Sequence, residues 1–179
     1  PTFLWSEAVI RGTELTADEG LTGVDKLSSN IKFIWAVATN ALINQHGNIN
    51  RTAKILQDES LVEFLVVQDQ FLTPSGKFAD LLLPACMQFE TWGLEDGWNY
   101  GDEVILMPQV VEPAFESKSD YRICADLARE LGVYEEFTEN LDEKGWTRKL
   151  WDSYRSGRFP NIPEFDEIVK NNQGVYSLP

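Results

Sequence analysis

Three polar side chains stand where a sheet could offer them to a ligand. Gln68 and Asp69 close the apolar run 64–67, and Asn40 follows the β-prone run 31–38. In an open α/β sheet, ligands bind beyond the carboxyl ends of the strands. A carboxylate is suited to that edge because it only accepts hydrogen bonds and can take two donors. Those donors could be the hydroxyls of a ribose or the N–H groups of a guanine base. The same carboxylate could instead cap a turn at the strand end. The residues leave both uses open.

The elements that must position these groups can be read from pattern. Phe33, Ile34, Trp35 and Val37 make 31–38 a strand. A polar loop, 41–48, holds the lone His46. A helix capped by Asn48 follows, with Ile49, Ala53 and Leu56 expected on one face. The strand 64–69 completes a βαβ unit, whose crossover should be right-handed. Thr73-Pro74 reads as a cap and first residue of one helical turn. Asp80 leads into a third short strand that closes on Pro84.

Outside this unit, 3–11 is expected to be a short helix stopped by Gly12, and 13–30 a loop. Thr16 and Glu19 have capping-box spacing. Residues 85–102 lack a period and read as a loop carrying Trp92, Trp98 and Tyr100. A strand is expected over 103–111, and a helix from 117–120 with Ile123, Leu127 and Leu131 in a stripe and Gly132 as its stop. A helix over about 143–156 should turn Trp146, Leu150 and Tyr154 to one side, and a last short helix falls in 163–171. The expectation is a single α/β domain over 1–179, with four strands in a mostly parallel sheet. Its core spans about 31–132, and a helical C-terminal extension about 133–179.

Composition narrows the chemistry. A net charge of -14 argues against tracking a nucleic-acid backbone, and 43% apolar with 25% charged residues is ordinary globular composition. Cys86 and Cys124 are far apart and form no C-x-x-C pair, so no metal or iron–sulfur ligand set is expected here. His46 has no placed acid partner and reads as structural. Glu90, Glu95, Asp96 and Asp102 read as a solvated acidic loop. The loop after the first strand lacks the glycines that let a pyrophosphate approach a helix N-terminus, which weighs against a nicotinamide-dependent dehydrogenase. The chain opens on Pro1, so a segment of a longer protein is expected.

Four motifs in one order resemble the dimethyl sulfoxide reductase family of molybdopterin-guanine-dinucleotide oxidoreductases. They are Ala-Thr-Asn-Ala-Leu-Ile-Asn-Gln-His-Gly-Asn-Ile-Asn-Arg-Thr (38–52), Val-Val-Gln-Asp-Gln-Phe-Leu-Thr (66–73), Phe-Ala-Asp-Leu-Leu-Leu-Pro (78–84), and Lys-Ser-Asp with the helix 123–132. Residues 137–139 and Trp146 look most like the membrane-bound, quinol-linked branch. The resemblance implies a three-layer, dinucleotide-binding-like part of the catalytic chain that precedes the C-terminal domain and holds the guanosine end of one pterin cofactor. By it, Asn40 lies in the loop after the first strand, Gln68 and Asp69 flank the guanosine, and Asp120 contacts the nucleotide end. Thr91 stands where some relatives place a cofactor-touching lysine, and Ala41 where many have proline.

The implied parent enzyme carries a molybdenum bis(molybdopterin guanine dinucleotide) and an iron–sulfur cluster, with both ligand sets upstream of this segment. Its reaction would be oxygen-atom transfer from a sulfoxide or N-oxide in anaerobic respiration. Its implied partners are an iron–sulfur electron-transfer subunit and a membrane anchor on the extracytoplasmic side. The segment alone is expected to be inactive. A non-catalytic nucleotide-binding or interaction module is the competing expectation, and a divergent dehydrogenase domain the third.

Overall fold

The computed structural model describes residues 5–45, 47–97 and 103–171, together with the backbone of Val175–Ser177. His46, Trp98, Tyr100 and Asp102 lie outside the described residues. The architecture is mixed α/β, with a parallel sheet early and helices late, as the sequence predicts. Contacts group the chain into two compact units, 1–84 and 85–179.

In the first unit, strands β1 (Phe33–Val37), β2 (Phe64–Asp69) and β3 (Leu81–Pro84) form a parallel sheet in the order β1-β2-β3. The register pairs Val37 with Gln68 and Asp69 with Pro84, so all three carboxyl ends share one edge. The sheet is fastened at its start by Asp80, whose Oδ2 accepts the Leu65 N–H at 2.7 Å while its own N–H donates to the Leu65 carbonyl at 2.9 Å.

Three helices belong to this unit: α1 (Trp5–Arg11), α2 (Ala41–Asn44) and α3 (Ile49–Leu56). They supply Trp5, Val9, Leu42, Ile55 and Leu56 to a core shared with Ala36, Leu65 and Val67. The Asn48 side chain caps α3 by accepting the Arg51 N–H at 3.1 Å, as expected. The buried face differs from the expected stripe. Ile49 is exposed, and Thr52, Ile55 and Leu56 are buried. Thr52 can enter the core because its hydroxyl donates to the Asn48 carbonyl at 3.1 Å. The second difference is α2, one helical turn within a stretch that reads as loop, closed by the Asn44 N–H on the Asn40 carbonyl.

The opposite sheet face carries Phe33 and Phe64, stacked with centroids 6.3 Å apart and both exposed. A proline-led turn does follow Thr73. It is a 3-10 turn over Ser75–Phe78, with Thr73 Oγ1 accepting the Gly76 N–H at 3.3 Å.

Charge ties α1 to its neighbours. Glu7 accepts from Arg11 Nε at 2.8 Å and Arg51 Nη2 at 2.6 Å, and Arg11 also pairs with Glu19. The hydrogen bonds from Arg11 and then Arg51 hold the Glu7 carboxyl below its ordinary range, and Arg11 does the same to Glu19. A carboxyl with a lowered folded pKa gives stability that is present above its unfolded value and lost as pH falls through the folded one. The thermal midpoint should therefore drop below about pH 4.3. Glu7→Gln should flatten that drop in a scan of melting temperature against pH. An unchanged acid limb in this variant would contradict the account.

The second unit is built on an antiparallel sheet: β4 (Gly93–Asp96), β5 (Glu103–Met107) and β6 (Val175–Ser177), in the order β4-β5-β6. The described sheets thus hold six strands in two groups, where four strands in one sheet are expected. β4 falls in a segment without period, because a four-residue strand closed by a neighbour leaves too short a pattern to read. β5 stops before Pro108 and not at Pro113.

Helices α4 (Asp120–Glu130), α5 (Tyr134–Thr138), α6 (Glu143–Ser156) and α7 (Phe165–Asn171) complete the unit. α4 buries Ile123, Ala125 and Ala128, leaving Leu127 and Leu131 exposed. Alanine lets a neighbouring backbone come close, so small residues mark the packed face here. Gly132 stops the helix with φ +75, a left-handed conformation that a side chain would strain. α6 buries Thr147 and Trp151 rather than the expected Leu150. Trp151 joins Val104, Leu106, Phe159, Ile162, Phe165 and Ile168 in this unit's core. No described helix is long and apolar enough to cross a membrane.

Candidate functional site

The parallel sheet brings three of the four candidate residues to one edge. Gln68 and Asp69 end β2, and Asn40 follows β1 by two residues. The turn between β1 and Asn40 is strained. Ala38 has φ 48, a region an L-residue enters at a cost of about 1–2 kcal/mol. It is held there by the Ala38 N–H, which donates to the Gln68 carbonyl at 2.9 Å and extends the β1–β2 ladder. Strain of this kind is found where a fold must aim a loop.

Each candidate has a different use in the fold. Gln68 is 1% exposed, so its side chain is packed into the sheet rather than laid open. Asp69 takes up one of its two expected uses locally: Oδ1 accepts the Gln70 N–H at 2.7 Å and the Phe71 N–H at 3.4 Å. Among the described residues nothing donates to Oδ2. The two readings of this carboxylate are therefore compatible, one oxygen capping the turn and the other remaining for a second donor. A cavity of about 230 Å³ opens beside it, walled by Val67, Phe71, Leu72, Leu82 and Leu83. Asn40 is half-buried, and Oδ1 accepts from Ser75 N at 3.0 Å and Ser75 Oγ at 2.8 Å.

Asp120 belongs to the second unit, as the first residue of α4. Ser119 caps that helix by accepting the Arg122 N–H at 3.1 Å. Asp120 lines a cavity of about 270 Å³ with Thr91, Trp92, Glu143 and Trp146. Thr91 Oγ1 donates to Glu143 Oε2 at 3.4 Å, and burial pushes the Glu143 carboxyl above its ordinary range. A larger cavity in this unit, about 560 Å³, sets Lys118 and Arg122 against Glu90 and Glu143. Glu90 is committed to the fold: Oε2 accepts the Met87 N–H at 2.7 Å and Oε1 the Ala114 N–H at 3.1 Å. Asp96 pairs with the Tyr154 hydroxyl at 2.8 Å and Arg158 at 3.2 Å, so these two acids are structural rather than part of a solvated loop.

Burial raises the thiol pKa of both Cys86 and Cys124, which keeps them in the unreactive form at neutral pH. Among the described residues, no three of His, Cys, Asp and Glu gather as a metal site.

Sequence reasoning missed Ser75 and Glu143. Ser75 stands between Pro74 and Gly76 in a turn, where a serine has many local uses and no periodic signal. Glu143 sits in the first turn of α6, where an acid is expected for the helix dipole alone.

The profile of the molybdopterin oxidoreductase family matches residues 10–130. The chain is 42% identical over 98% of its length to dimethyl sulfoxide reductase DmsA of Haemophilus influenzae, covering 22% of that protein. It is 42% identical over 97% of its length to DmsA of Escherichia coli K12, covering 21%. Trimethylamine-N-oxide reductase 1 of Escherichia coli K12 is 35% identical over 74% of the chain and 16% of that protein. The chain thus spans about a fifth of the length of the two curated DmsA relatives. Among solved structures, acetylene hydratase from Pelobacter acetylenicus superposes with a TM-score of 0.58 at 28% identity, covering 83% of this chain and 18% of that one. With a family profile that runs from α1 through α4 and relatives this close over nearly all its residues, the chain belongs to the molybdopterin oxidoreductase family.

Proposed function

We propose that this chain is the part of a molybdenum oxidoreductase that holds the guanosine end of a molybdopterin guanine dinucleotide. The observation that carries the reading is the edge shared by Asn40, Gln68 and Asp69, in a chain 42% identical to a dimethyl sulfoxide reductase. The residues fit the group. Apolar walls beside Asp69 suit the faces of a base, and a carboxylate oxygen free of the turn suits its N–H donors or a ribose hydroxyl. Asn40 adds an amide at the same edge. Asp120 is proposed as a contact to the nucleotide end on the family resemblance alone.

When bound, the cofactor supplies oxygen-atom transfer from a sulfoxide or N-oxide. The side chains of this segment bind and orient, and none of them moves a proton at the reacting atom. The segment alone is inactive in this reading. The parent works with an iron–sulfur electron-transfer subunit and a membrane anchor on the extracytoplasmic side, and an iron–sulfur cluster sits elsewhere in the catalytic chain.

The test is chemical analysis of the full-length parent purified from anaerobically grown cells. Molybdenum and guanine are expected in a ratio of about 1:2, as a bis-dinucleotide cofactor requires, together with sulfoxide or N-oxide reduction. A protein that carries molybdenum without guanine, or neither, would overturn the reading.

A further inference from the structure

Ser75 is completely buried, and its hydroxyl serves two loops. Its Oγ donates to Asn40 Oδ1 at 2.8 Å and accepts the Ile43 N–H at 3.4 Å. Its backbone N–H also donates to Asn40 Oδ1, at 3.0 Å. The turn after β2 is thereby pinned to the turn after β1, and both turns stand at the carboxyl edge of the sheet.

These contacts settle which way the Asn40 amide faces. A backbone N–H is only a donor, so the amide atom that meets it must be the oxygen. With Oδ1 committed to Ser75, Nδ2 is turned to the other side. Among the described residues no acceptor is paired with Nδ2. The side chain is half-buried, and its donor is open on the exposed side, where a ligand oxygen could meet it.

We infer that Ser75 is a positioning residue, which locks the Asn40 amide so that Nδ2 is presented as a hydrogen-bond donor to an oxygen of the bound nucleotide. This deepens the cofactor reading above and rests on it. Asn40 then has two separable tasks, with Oδ1 closing the loop and Nδ2 reading the ligand. An aspartate at this position could do the first and not the second, because both its oxygens only accept.

The experiment uses the full-length parent protein isolated with its own cofactor. It reads molybdenum and guanine per chain alongside the thermal midpoint. Asn40→Asp should keep the wild-type midpoint, since Ser75 still finds its acceptor, and should lower occupancy about tenfold or more. Ser75→Ala leaves only the backbone N–H on Oδ1 and should lower occupancy about three- to tenfold by loosening the amide, and Ser75→Thr, which keeps the hydroxyl, should restore it.

Combining Ser75→Ala with Asn40→Asp should lower occupancy no further than Asn40→Asp alone, because there is no longer a donor to aim. A purely structural Ser75 would give losses that add. Additive losses, or wild-type occupancy in Asn40→Asp, would overturn the inference. Should Ser75→Ala not fold, Asn40→Asp still decides the matter. Failure of this inference is distinct from failure of the cofactor reading. If the wild-type protein carries guanine and Asp69→Asn lowers it while Asn40→Asp does not, only the inference falls.

Discussion

Asp69→Asn in the full-length parent is expected to lower molybdenum and guanine content about thirtyfold while the thermal midpoint stays at the wild-type value. The two oxygens of Asp69 have different work. Oδ1 caps the turn by accepting from Gln70 and Phe71, and asparagine makes the same turn with its amide oxygen. Oδ2 would become an amide nitrogen, which donates where the nucleotide also donates. Hydrogen bonds to a charged group are worth about 1.5–3 kcal/mol, so losing one or two of them accounts for a change of this size. Asp69→Ala should lose the cofactor too, and should also lower the midpoint because the cap goes with it. The contrast between the two variants separates binding from folding. Full molybdenum and guanine loading in Asp69→Asn would show that the carboxylate only caps its turn. The measurement is metal analysis and base release on purified protein, so it does not depend on turnover.

The placement of this edge is legible in the sequence. Two continuous apolar runs, each closed by polar residues, specify buried parallel strands, and parallel strands put their carboxyl ends on one side. Helix ends were legible for the same kind of reason: Asn48 and Gly132 act locally, through one hydrogen bond or one dihedral angle. What the pattern did not reveal depends on partners distant in sequence. Asn40 and Ser75 are 35 residues apart, and their pairing decides the direction of the amide. Glu90 and Asp96 read as solvated acids because their partners, Ala114 and Tyr154, lie in other segments. Apolar periodicity misplaces a helix face where a small or hydroxyl residue is the buried one. Thr52 and Ala128 rank below leucine in hydrophobicity. They pack inside because a local hydrogen bond satisfies the first and close approach suits the second.

Trp151→Ala should be the most damaging single change in the second unit, costing about 3–5 kcal/mol. The side chain is 0% exposed and packs with Val104 and Leu106 of β5 and with Phe159, Phe165 and Ile168. Its indole N–H donates to the Pro163 carbonyl at 2.9 Å, holding the segment that leads into α7. Whole domains are stable by only about 5–15 kcal/mol, so this loss removes a large part of the margin. Trp151→Phe keeps most of the buried area and gives up the hydrogen bond, for a smaller cost of about 1–2 kcal/mol. Leu150 supplies the control. It lies one residue away on the same helix and belongs to the stripe that periodicity favours, yet it is 46% exposed. Leu150→Ala should therefore cost less than about 1 kcal/mol. Urea unfolding of the three variants gives the comparison, and hydrogen exchange at Val104 and Leu106 locates the effect on β5. Equal costs for Leu150→Ala and Trp151→Ala would place the helix's packed face on the periodic stripe. A loss confined to Trp151→Ala, with faster exchange in β5, would mean that α6 and α7 are clamped to the sheet through one indole ring.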